Sequence, residues 1–410
     1  MGVDFDQIPK DWKKVKISKK LFFQEGPGVR KWQFTDVGIK LLNVGNINNG
    51  KVDLSKTDKH LSMEEATGKY AHFLVDEGDL LIACSGILVD NFHNKIAFAK
   101  KEHLPLCLNT STMRFRALND DVDLNYFKYF LQTVYFTSQL QKLITGSAQL
   151  NFGPSHIKKI DFLLPPIKIQ QRIAGILDDA AALRDKTAQL LKEYELLAQS
   201  IFLEMFGDPM SNPKEWETKT INEVNIKIVD CPHSTPKYVN SNSNYPCIRT
   251  SEIKNGEIEW KSMKYLNKEN HLERISRLEP LENDLIFGRE GVVGEIALIP
   301  ENTHISLGQR VMLFRVNKKM IIPLFYHALI KSNGIQQKIK RKAIGATVKR
   351  INIKDVKLIE VPIPPINLQN QFAEKIGLIE RQKKLAKQEL QESEDLFNCL
   401  LQKAFKGELV

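Results

Sequence analysis

The stretch Pro165-Pro166-Ile167-Lys168-Ile169-Gln170 returns 199 residues later as Pro364-Pro365-Ile366-Asn367-Leu368-Gln369, and each copy opens a long helical pattern. The same offset relates three further pairs: Gly146 and Gly345, Lys158 and Lys357, Ala174 and Ala373. Because unrelated loops would not share so many positions, the sequence indicates a tandem duplication. Each half is predicted to be a globular domain followed by a long helix.

The duplication extends to the beginnings of the globular domains. Ile8-Pro9-Lys10-Asp11-Trp12 in the first half is matched by Asn212-Pro213-Lys214-Glu215-Trp216 in the second. A chain of 410 residues is also too long for one hydrophobic core of typical size. The sequence therefore predicts a domain at 1–165, a helix at 166–206, a domain at 207–364 and a helix at 365–410.

Short strands and tight turns recur at matching places in both halves. Asn49-Gly50 and Asn255-Gly256 are dipeptides typical of hairpin turns. Alternating apolar and polar residues predict half-buried strands at 113–116 and 312–315. Buried strands are predicted at 79–82 and 284–287, further strands at 95–99 and 295–299, and helices at 124–144 and 323–344. Each globular domain is thus predicted to be mixed α/β.

A seven-residue repeat of apolar residues follows each Pro-Pro pair. Lys383 and Ser393 interrupt the second repeat, and Gly207 and Gly407 mark the helix ends. Such a seam is buried against another seam, which predicts two antiparallel coiled-coil helices. The alternative is that each helix packs on its own globular domain. The predicted rows are 169, 176, 183, 190, 197 with 173, 180, 187, 194, 201 in the first helix, and 372, 379, 386, 393, 400 with 376, 383, 390, 397, 404 in the second.

The distribution of charge favours a polyanionic partner for the globular domains. The net charge is +10, with +4 in residues 1–165 and +7 in 207–364, while the helical segments are close to neutral. This excess suits DNA, although plain solubility would also explain it. No apolar run approaches the ~18 residues of a membrane span. Because the polar N-terminus does not resemble a signal peptide, we expect a cytoplasmic protein.

Several catalytic signatures are absent from the sequence. It has no G-x-x-x-x-G-K-[ST] phosphate loop, no Asp/Asn-Pro-Pro-aromatic motif, and no C-x-x-C pair among its five cysteines. Asp230 with Glu252-Ile253-Lys254 imitates the acidic groups and lysine that surround Mg²⁺ in nucleases. The first half has Asn46 where the second has Glu252, which argues against that pattern. We expect no catalytic residue and no metal ligand in this chain.

The loops that leave the predicted strands carry residue types suited to DNA. Glycine allows close approach of the backbone, and Arg, Asn and Gln can pair with base edges in the major groove. Any one of these positions could equally be an ordinary surface residue. Arg289, in a glycine-flanked loop, is expected to pair with guanine, and basic residues at 338–342 are expected to contact phosphates. The candidate DNA-binding residues are Ser85, Gly86, Asn91, His93, Asn94, Lys95, Thr110, Gln149 and Asn151 in the first domain, and Arg249, Thr250, Arg289, Glu290, Arg310, Lys349 and Arg350 in the second.

The order of domain, Pro-Pro-Ile…Gln helix, domain and Pro-Pro-Ile…Gln helix resembles the specificity subunit of type I restriction–modification systems. Phe206-Gly207-Asp208-Pro209 and Lys403-Ala404-Phe405-Lys406-Gly407-Glu408-Leu409 are similar to that family's helix endings. The resemblance covers essentially the whole chain. It implies an α+β fold: two target recognition domains in a pseudo-two-fold tandem repeat, separated by two long antiparallel coiled-coil helices.

The resemblance also implies a function and partners. Each domain would read one half of a bipartite site in double-stranded DNA, and the helices would set the spacer and dock two methyltransferase subunits. Restriction subunits would complete the assembly. S-adenosylmethionine, ATP and Mg²⁺ would bind to these partners and not to this chain, which would be non-catalytic. Two alternatives stay open: a stand-alone DNA endonuclease or fragment of a fused restriction–methylation enzyme, and a scaffold that binds no DNA.

Overall fold

The computed structural model describes residues 9–55, 57–144, 149–240 and 243–409. The chain divides into two compact units, here unit 1 (Met1–Thr187 with Glu389–Val410) and unit 2 (Ala188–Gln388). Each long helix therefore contributes one part to each unit. Ile8 and Gly146 of the repeated motifs lie outside the described residues.

Unit 1 is built around an antiparallel four-stranded sheet in the order β2-β11-β7-β9, and a smaller sheet has the order β10-β3-β6. The helices are α1 (Met63–Thr67), α2 (Leu124–Phe130), α3 (Val134–Leu143), α4 (Pro154–Ile157) and the long α5 (Ile167–Phe206). The strands are β1 (Lys13–Lys16), β2 (Leu21–Glu25), β3 (Ile39–Leu42), β4 (Ile47–Asn48), β5 (Lys51–Val52), β6 (His60–Leu61), β7 (Leu80–Ala83), β8 (Ile87–Leu88), β9 (Ile96–Phe98), β10 (Leu106–Leu108), β11 (Thr112–Ala117), β12 (Gln149–Leu150) and β13 (Asp161–Leu164).

Unit 2 repeats this plan, with a four-stranded sheet in the order β15-β24-β21-β22 and a second sheet in the order β16-β20-β17-β23. Its helices are α6 (Ile221–Val224), α7 (Lys268–Ile275), α8 (Pro323–Lys331), α9 (Asn333–Lys342), α10 (Ile353–Lys357) and the long α11 (Ile366–Ala404). The strands are β14 (Thr218–Thr220), β15 (Asn225–Asp230), β16 (Tyr238–Val239), β17 (Pro246–Ile248), β18 (Ile253–Lys254), β19 (Glu257–Ile258), β20 (Lys264–Leu266), β21 (Leu285–Gly288), β22 (Ile296–Leu298), β23 (Ser306–Leu307), β24 (Val311–Val316) and β25 (Glu360–Pro362). The mixed α/β prediction is confirmed.

Both Asn-Gly hairpins form where the sequence predicts them. β4 pairs with β5 and β18 with β19, each across a two-residue turn. The turn residues all have positive φ, 50° and 71° at Asn49-Gly50 and 55° and 86° at Asn255-Gly256. These left-handed conformations are tolerated best by asparagine and glycine, which explains why that dipeptide occurs twice.

The strands predicted to be half-buried are in fact buried on both faces. In β11, Met113 and Phe115 join the core on the helical side, and the opposite face is covered by the smaller sheet. Arg114 points to that covered face and is only 4% exposed. Its guanidinium donates hydrogen bonds to the carbonyls of Leu74 and His72 and to Gln24. The alternation was misleading because the buried Arg114 is satisfied inside the protein by these groups and by the Asp79 carboxylate, 3.4 Å from Nη1.

The predicted single helices at 124–144 and 323–344 were wrong, because each region forms two helices. Thr133 lies between α2 and α3 with ψ of 150°, and its hydroxyl accepts a hydrogen bond from the Phe136 N–H (3.1 Å). Ser332 has ψ of 146° and caps α9 in the same way. A hydroxyl residue in extended conformation ends one helix and begins the next.

The glutamine of the repeated stretch anchors the start of each long helix. Gln170 is fully buried, and its Nε2 donates to the carbonyls of Asp121 (2.9 Å) and Pro165 (2.8 Å). Its Oε1 accepts from the Asp123 N–H (2.9 Å). Gln369 forms the equivalent set in unit 2, with the carbonyls of Met320 and Pro364 and the N–H of Ile322. A buried amide with three partners fixes the helix direction, which explains why the stretch recurs.

The long helices pair antiparallel within each unit, as predicted. In unit 1, Ile173 and Leu177 near the start of α5 share a core with Leu401 and Ala404 near the end of α11. In unit 2, Phe206 at the end of α5 packs on Phe372 near the start of α11, with ring centroids 5.3 Å apart. Both segments also pack on their globular cores, so the two packing alternatives coexist.

One of the four predicted seam rows was wrong. Leu183 and Leu197 of the row beginning at 169 are 51% and 47% exposed. The row beginning at Ile173 faces the core, and its neighbour is the row 177, 184, 191, 198, 205, which is buried or half-buried. The row beginning at Ile173 has an apolar row on each side of it. The sequence therefore could not show which of these two neighbouring rows is buried. In α11 both predicted rows are buried or half-buried.

Lys383 interrupts the seam of α11 because it forms an ion-pair network in unit 2. It is 6% exposed, and its Nζ lies 2.8 Å from Glu380, 3.3 Å from Glu195 and 4.0 Å from Glu257. Burial lowers the pKa of Lys383, but these carboxylates outweigh burial and raise it. Burial raises the pKa of Glu195, but Lys331 and Lys383 outweigh burial and lower it.

We expect Lys383→Met to flatten the acid dependence of stability. A carboxyl with a lowered pKa stabilises the fold above its ordinary pKa of about 4.3, and this contribution is lost as the pH falls. Without Lys383 the Glu195 contribution shrinks, so the free energy of unfolding should change less between about pH 5 and pH 3. Denaturant titration over that range measures it. Lys384→Met, at an exposed position of the same helix, is the control, and parallel slopes in both variants would contradict the assignment.

Candidate nucleic-acid interface

One edge of each four-stranded sheet gathers the loops selected from the sequence. In unit 1, β2 ends at Glu25, β7 ends at Ala83 and β11 begins at Thr112. The antiparallel register places Glu25 opposite Met113 and Ala83 opposite Thr112, so all three ends lie at the same edge. We call this edge, with the loops that leave it, the loop edge. Unit 2 has the same edge at the ends of β15 and β21 and the beginning of β24.

The structure brings four of the candidates in unit 1 together. The Asn151 Oδ1 accepts hydrogen bonds from the Ser85 hydroxyl (2.7 Å) and the Gly86 N–H (2.8 Å). Gly86 has φ of 69°, a left-handed conformation that suits glycine. The pairing of β8 with β12 places Gln149 opposite Leu88 beside this cluster. Ser85, Gly86, Gln149 and Asn151 therefore form one surface.

Thr110 lies at the same loop edge and joins two of its loops. Its hydroxyl and its N–H both donate to the Pro27 carbonyl, at 2.9 and 3.0 Å. A Cβ added at Gly26 would lie 2.3 Å from the Asn109 carbonyl oxygen, so only glycine allows this approach. The 26–28 and 109–111 loops are thus held rigidly, which is the condition for a precise binding surface.

The remaining candidates of unit 1 have other contacts. Lys95 Nζ donates to Asn48 Oδ1 (2.6 Å) and the Val44 carbonyl (3.3 Å), which ties it to the β4–β5 hairpin. Asn94 donates to Asn91 at 2.9 Å. His93 lines a cavity of about 200 Å³ with residues that begin α3. Burial, and then the charge of Arg184, lowers the pKa of His93. The structure does not bring these four residues into the Ser85–Asn151 cluster.

In unit 2, Arg289 is held by a carboxylate at the loop edge. Its Nε donates to Asp230 Oδ1 (2.9 Å) and its Nη2 to Asp230 Oδ2 (3.2 Å). The Asp230 side chain is 5% exposed and that of Arg289 is 18% exposed. The Nε and Nη2 edge of the guanidinium, one of the two edges that could pair bidentately with guanine, is therefore engaged inside the protein in this structure.

The other unit 2 candidates surround this ion pair. The N–H of Arg289 donates to the Arg310 carbonyl (3.0 Å), and Arg310 Nε lies 3.3 Å from Glu290 Oε1. An isolated antiparallel bridge joins Glu290 to Arg350, and the Gly291 N–H donates to the Lys349 carbonyl (2.8 Å). Lys349 and Arg350 are exposed. The structure thus brings Arg289, Glu290, Arg310, Lys349 and Arg350 to one surface.

Arg249 and Thr250 begin the next loop, and Arg249 is also paired. Its Nε lies 3.0 Å from Glu252, whose side chain is fully buried. The Glu252 carboxylate also accepts from the Arg249 N–H (2.9 Å) and the Ser251 hydroxyl (2.7 Å). In unit 1 Asn46 has the same position and accepts from the Asn43 N–H (2.9 Å).

This geometry bears directly on the nuclease alternative. The carboxylates of Glu252 and Asp230 are each neutralised by a separate arginine, Arg249 and Arg289. Within residues 9–55, 57–144, 149–240 and 243–409, no group of three or more His, Cys, Asp and Glu side chains could hold a metal ion. The Glu252 carboxylate accepts the backbone hydrogen bond that begins its loop. In unit 1 the Asn46 side-chain amide accepts the equivalent hydrogen bond, so this position does not require a carboxylate.

We expect Arg289→Ala to lower the free energy of unfolding by about 3 kcal/mol, because it leaves Asp230 buried without a cation. The double variant with Asp230→Ala should recover most of this loss, since it removes both charges. Denaturant unfolding measures both variants, and a loss below about 1 kcal/mol in the single variant would contradict the role. A loss of preference at one position of a DNA site would show that Arg289 also pairs with a base.

A family model described as the type I restriction modification DNA specificity domain matches residues 9–195 and again residues 213–394. The chain belongs to this family. The two matches cover most of the chain and confirm both the tandem duplication and the resemblance derived from the repeated helix starts. They also include the loop edges of both units.

Individual relatives in the specificity family are distant in sequence. The chain is 24% identical over 274 residues to the type I restriction enzyme EcoBI specificity subunit of Escherichia coli, covering 60% of this chain and 58% of that one. The chain thus spans little more than half the length of that relative. It is 22% identical over 420 residues to the putative MjaX specificity subunit of Methanocaldococcus jannaschii, covering 97% and 94%.

A solved structure in the specificity family has the same fold. The crystal structure of a type I restriction–modification system S subunit from M. genitalium matches with a TM-score of 0.57 and 15% identity, covering 98% of both chains.

Among the described residues, no helix is both long enough and apolar enough to cross a membrane.

Sequence reasoning missed the acidic residues of the loop edge. Glu25 ends β2, and the sequence presents Asp230 only as part of a nuclease pattern. The available signal was the glycine-rich run Glu25-Gly26-Pro27-Gly28, which is typical of a strand that ends in a tight loop. Glu25 had no partner visible in the sequence, so nothing connected it to Ser85 and Asn151.

Proposed function

We propose that this chain is the non-catalytic DNA-recognition subunit of a type I restriction–modification enzyme. Each unit reads one half of a bipartite site in double-stranded DNA, and the long helices set the spacer between the halves. The main support is the loop edge, which has one backbone frame and different side chains in the two units. A common frame with different loops suits two modules that read different base sequences.

Basic residues near the loop edge of unit 2 provide the charge for phosphate contacts. Lys340, Arg341 and Lys342 are exposed at the end of α9. Lys338 is less available, because its Nζ donates to the Glu360 carbonyl (3.0 Å). Such lysines and arginines position a protein on DNA without specifying its sequence.

The outer faces of the long helices are the proposed docking sites for two methyltransferase subunits. In unit 1 Leu183 and Leu396 are 51% and 46% exposed, and in unit 2 Leu196 and Leu385 are 64% and 52% exposed. Exposed leucines on helices that already have a buried seam suit further helices. Restriction subunits would join through this assembly. S-adenosylmethionine, ATP and Mg²⁺ would be held by the partners, which supply the chemistry, and the complex would act in the cytoplasm.

The function is tested by assembling the chain with its methyltransferase subunits and measuring duplex binding at several salt concentrations. We expect sequence-dependent binding whose affinity falls steeply as salt rises, because phosphate contacts release counterions. The purified chain alone, incubated with DNA and Mg²⁺, should leave the strands intact. Strand cleavage would support the nuclease alternative, and absence of salt-dependent duplex binding by the assembly would support the scaffold alternative.

A further inference from the structure

Glu25 and Asp230 occupy equivalent positions in the two units. Glu25 ends β2 opposite Met113 of β11, and Asp230 ends β15 opposite Met312 of β24. Cys84 and Arg289 are equivalent in the same way, because each directly follows the neighbouring strand, β7 or β21. The repeat therefore places a carboxylate at the same point of both loop edges, beside a different neighbour in each unit.

The two carboxylates differ in what neutralises them. Asp230 has the Arg289 guanidinium at 2.9 Å. Among the described residues, the hydrogen-bond donor to the Glu25 carboxylate is the Cys84 thiol, with Sγ 3.9 Å from Oε1. Burial, and then the charge of Glu25, raises the pKa of Cys84, so the thiol stays neutral and is a weak donor. In the part of the chain that the structure describes, no Lys, Arg or His forms an ion pair with Glu25.

Glu25 lies beside the cluster of candidate residues in unit 1. A Cβ added at Gly153 would be 3.0 Å from Glu25 Oε2, so the carboxylate is next to the loop that carries Asn151. Asn151 in turn holds the loop that follows Cys84, through Ser85 and Gly86. The carboxylate thus stands between the two loops that form the candidate surface.

The Glu25 carboxylate is half-buried and has one weak donor among the described residues, so its oxygens can accept further hydrogen bonds. DNA offers only one kind of group that could donate them. Phosphates are anionic and repel a carboxylate. In the major groove the donors are the exocyclic amino groups, N4 of cytosine and N6 of adenine.

We propose that Glu25 is a specificity-determining residue of unit 1, which accepts a hydrogen bond from the exocyclic amino group of a cytosine or adenine in the major groove. This inference rests on the proposed function of DNA recognition. Unit 2 has a carboxylate already paired with arginine at this point, so the two units present different chemistry to the bases from one backbone position.

The first test uses the unaltered chain assembled with its methyltransferase subunits and the DNA site that this assembly modifies. Each cytosine or adenine of the half-site read by unit 1 is replaced in turn by an analogue that lacks the amino group. We expect one replacement to weaken binding about tenfold or more. If every replacement binds as well as the natural site, the inference is wrong. If the unaltered assembly selects no site at all, the proposed function itself fails.

The second test compares Glu25→Met with Glu77→Met. Methionine is similar in length to glutamate but has no oxygen acceptor, and Glu77 is an exposed carboxylate in another loop of unit 1. Glu25→Met should lose the preference at that one position, leave the half-site of unit 2 unchanged, and bind non-specific DNA at least as tightly, because a negative charge has been removed. Glu77→Met should retain the full site. Uniform loss of specific and non-specific binding by Glu25→Met, or an unchanged preference, would overturn the proposal.

Discussion

Inserting seven residues near Thr187 and seven near Lys387 should lengthen the unread spacer of the DNA site and leave both half-sites unaltered. Seven helical residues add about 10 Å at ~1.5 Å per residue. Because DNA rises about 3.4 Å per base pair, we expect a spacer about three base pairs longer. Mapping the methylated adenines measures the spacer directly.

The buried rows of the two long helices explain why the insertions have seven residues and lie near Thr187 and Lys387. Thr187 is 7% exposed and belongs to the buried row that begins at Ile173, and Lys387 follows Ala386 of a buried row in α11. A seven-residue insertion returns the following residues to the same helical face. A double insertion of five residues is the matched control, because it turns the seam away and should lose assembly. Methylation at the original spacing by the folded seven-residue variant would show that the helices do not set the spacer.

Replacing residues 1–165 with the corresponding domain of another specificity subunit should change one half of the recognised site completely and leave the other half unaltered. The reason is that each four-stranded sheet has its own core, and the loop edge of unit 2 is built from residues of unit 2 alone. The measurement is again the methylated sequence. Replacing 207–364 should produce the reciprocal change.

The exchanged domain must fit the start of the long helix that follows it. Gln170, at the unchanged start of α5, must still find the backbone carbonyls that Asp121 and Pro165 supply and the backbone N–H that Asp123 supplies. The donor domain must therefore present equivalent backbone groups at these places. If a folded exchange variant altered both halves of the site at once, the units would not read DNA independently.

The parts of the fold that sequence predicted well depend on local signals. The Asn49-Gly50 turn and the glycines that end the long helices, Gly207 and Gly407, are each determined by residues close in the chain. Duplication strengthened every such signal, because the same pattern occurred twice. The two rows of α11 were predicted correctly because its polar residues leave little ambiguity about the apolar face.

The parts that sequence could not predict depend on distant partners. Arg289 is paired with Asp230, which lies 59 residues earlier in the chain, and an arginine beside glycines has the same local pattern whether it binds a base or a carboxylate. Arg114 is buried by a second sheet whose position no alternation reveals. In α5, apolar residues flank the seam on both sides, so the covered flank is decided only by packing.

The most direct test of the account is to map methylated adenines in DNA from cells that carry this chain together with its methyltransferase subunits. We predict one bipartite motif, with two specified halves and a spacer of constant length that is not read. A single continuous motif, or methylation that does not depend on this chain, would contradict it.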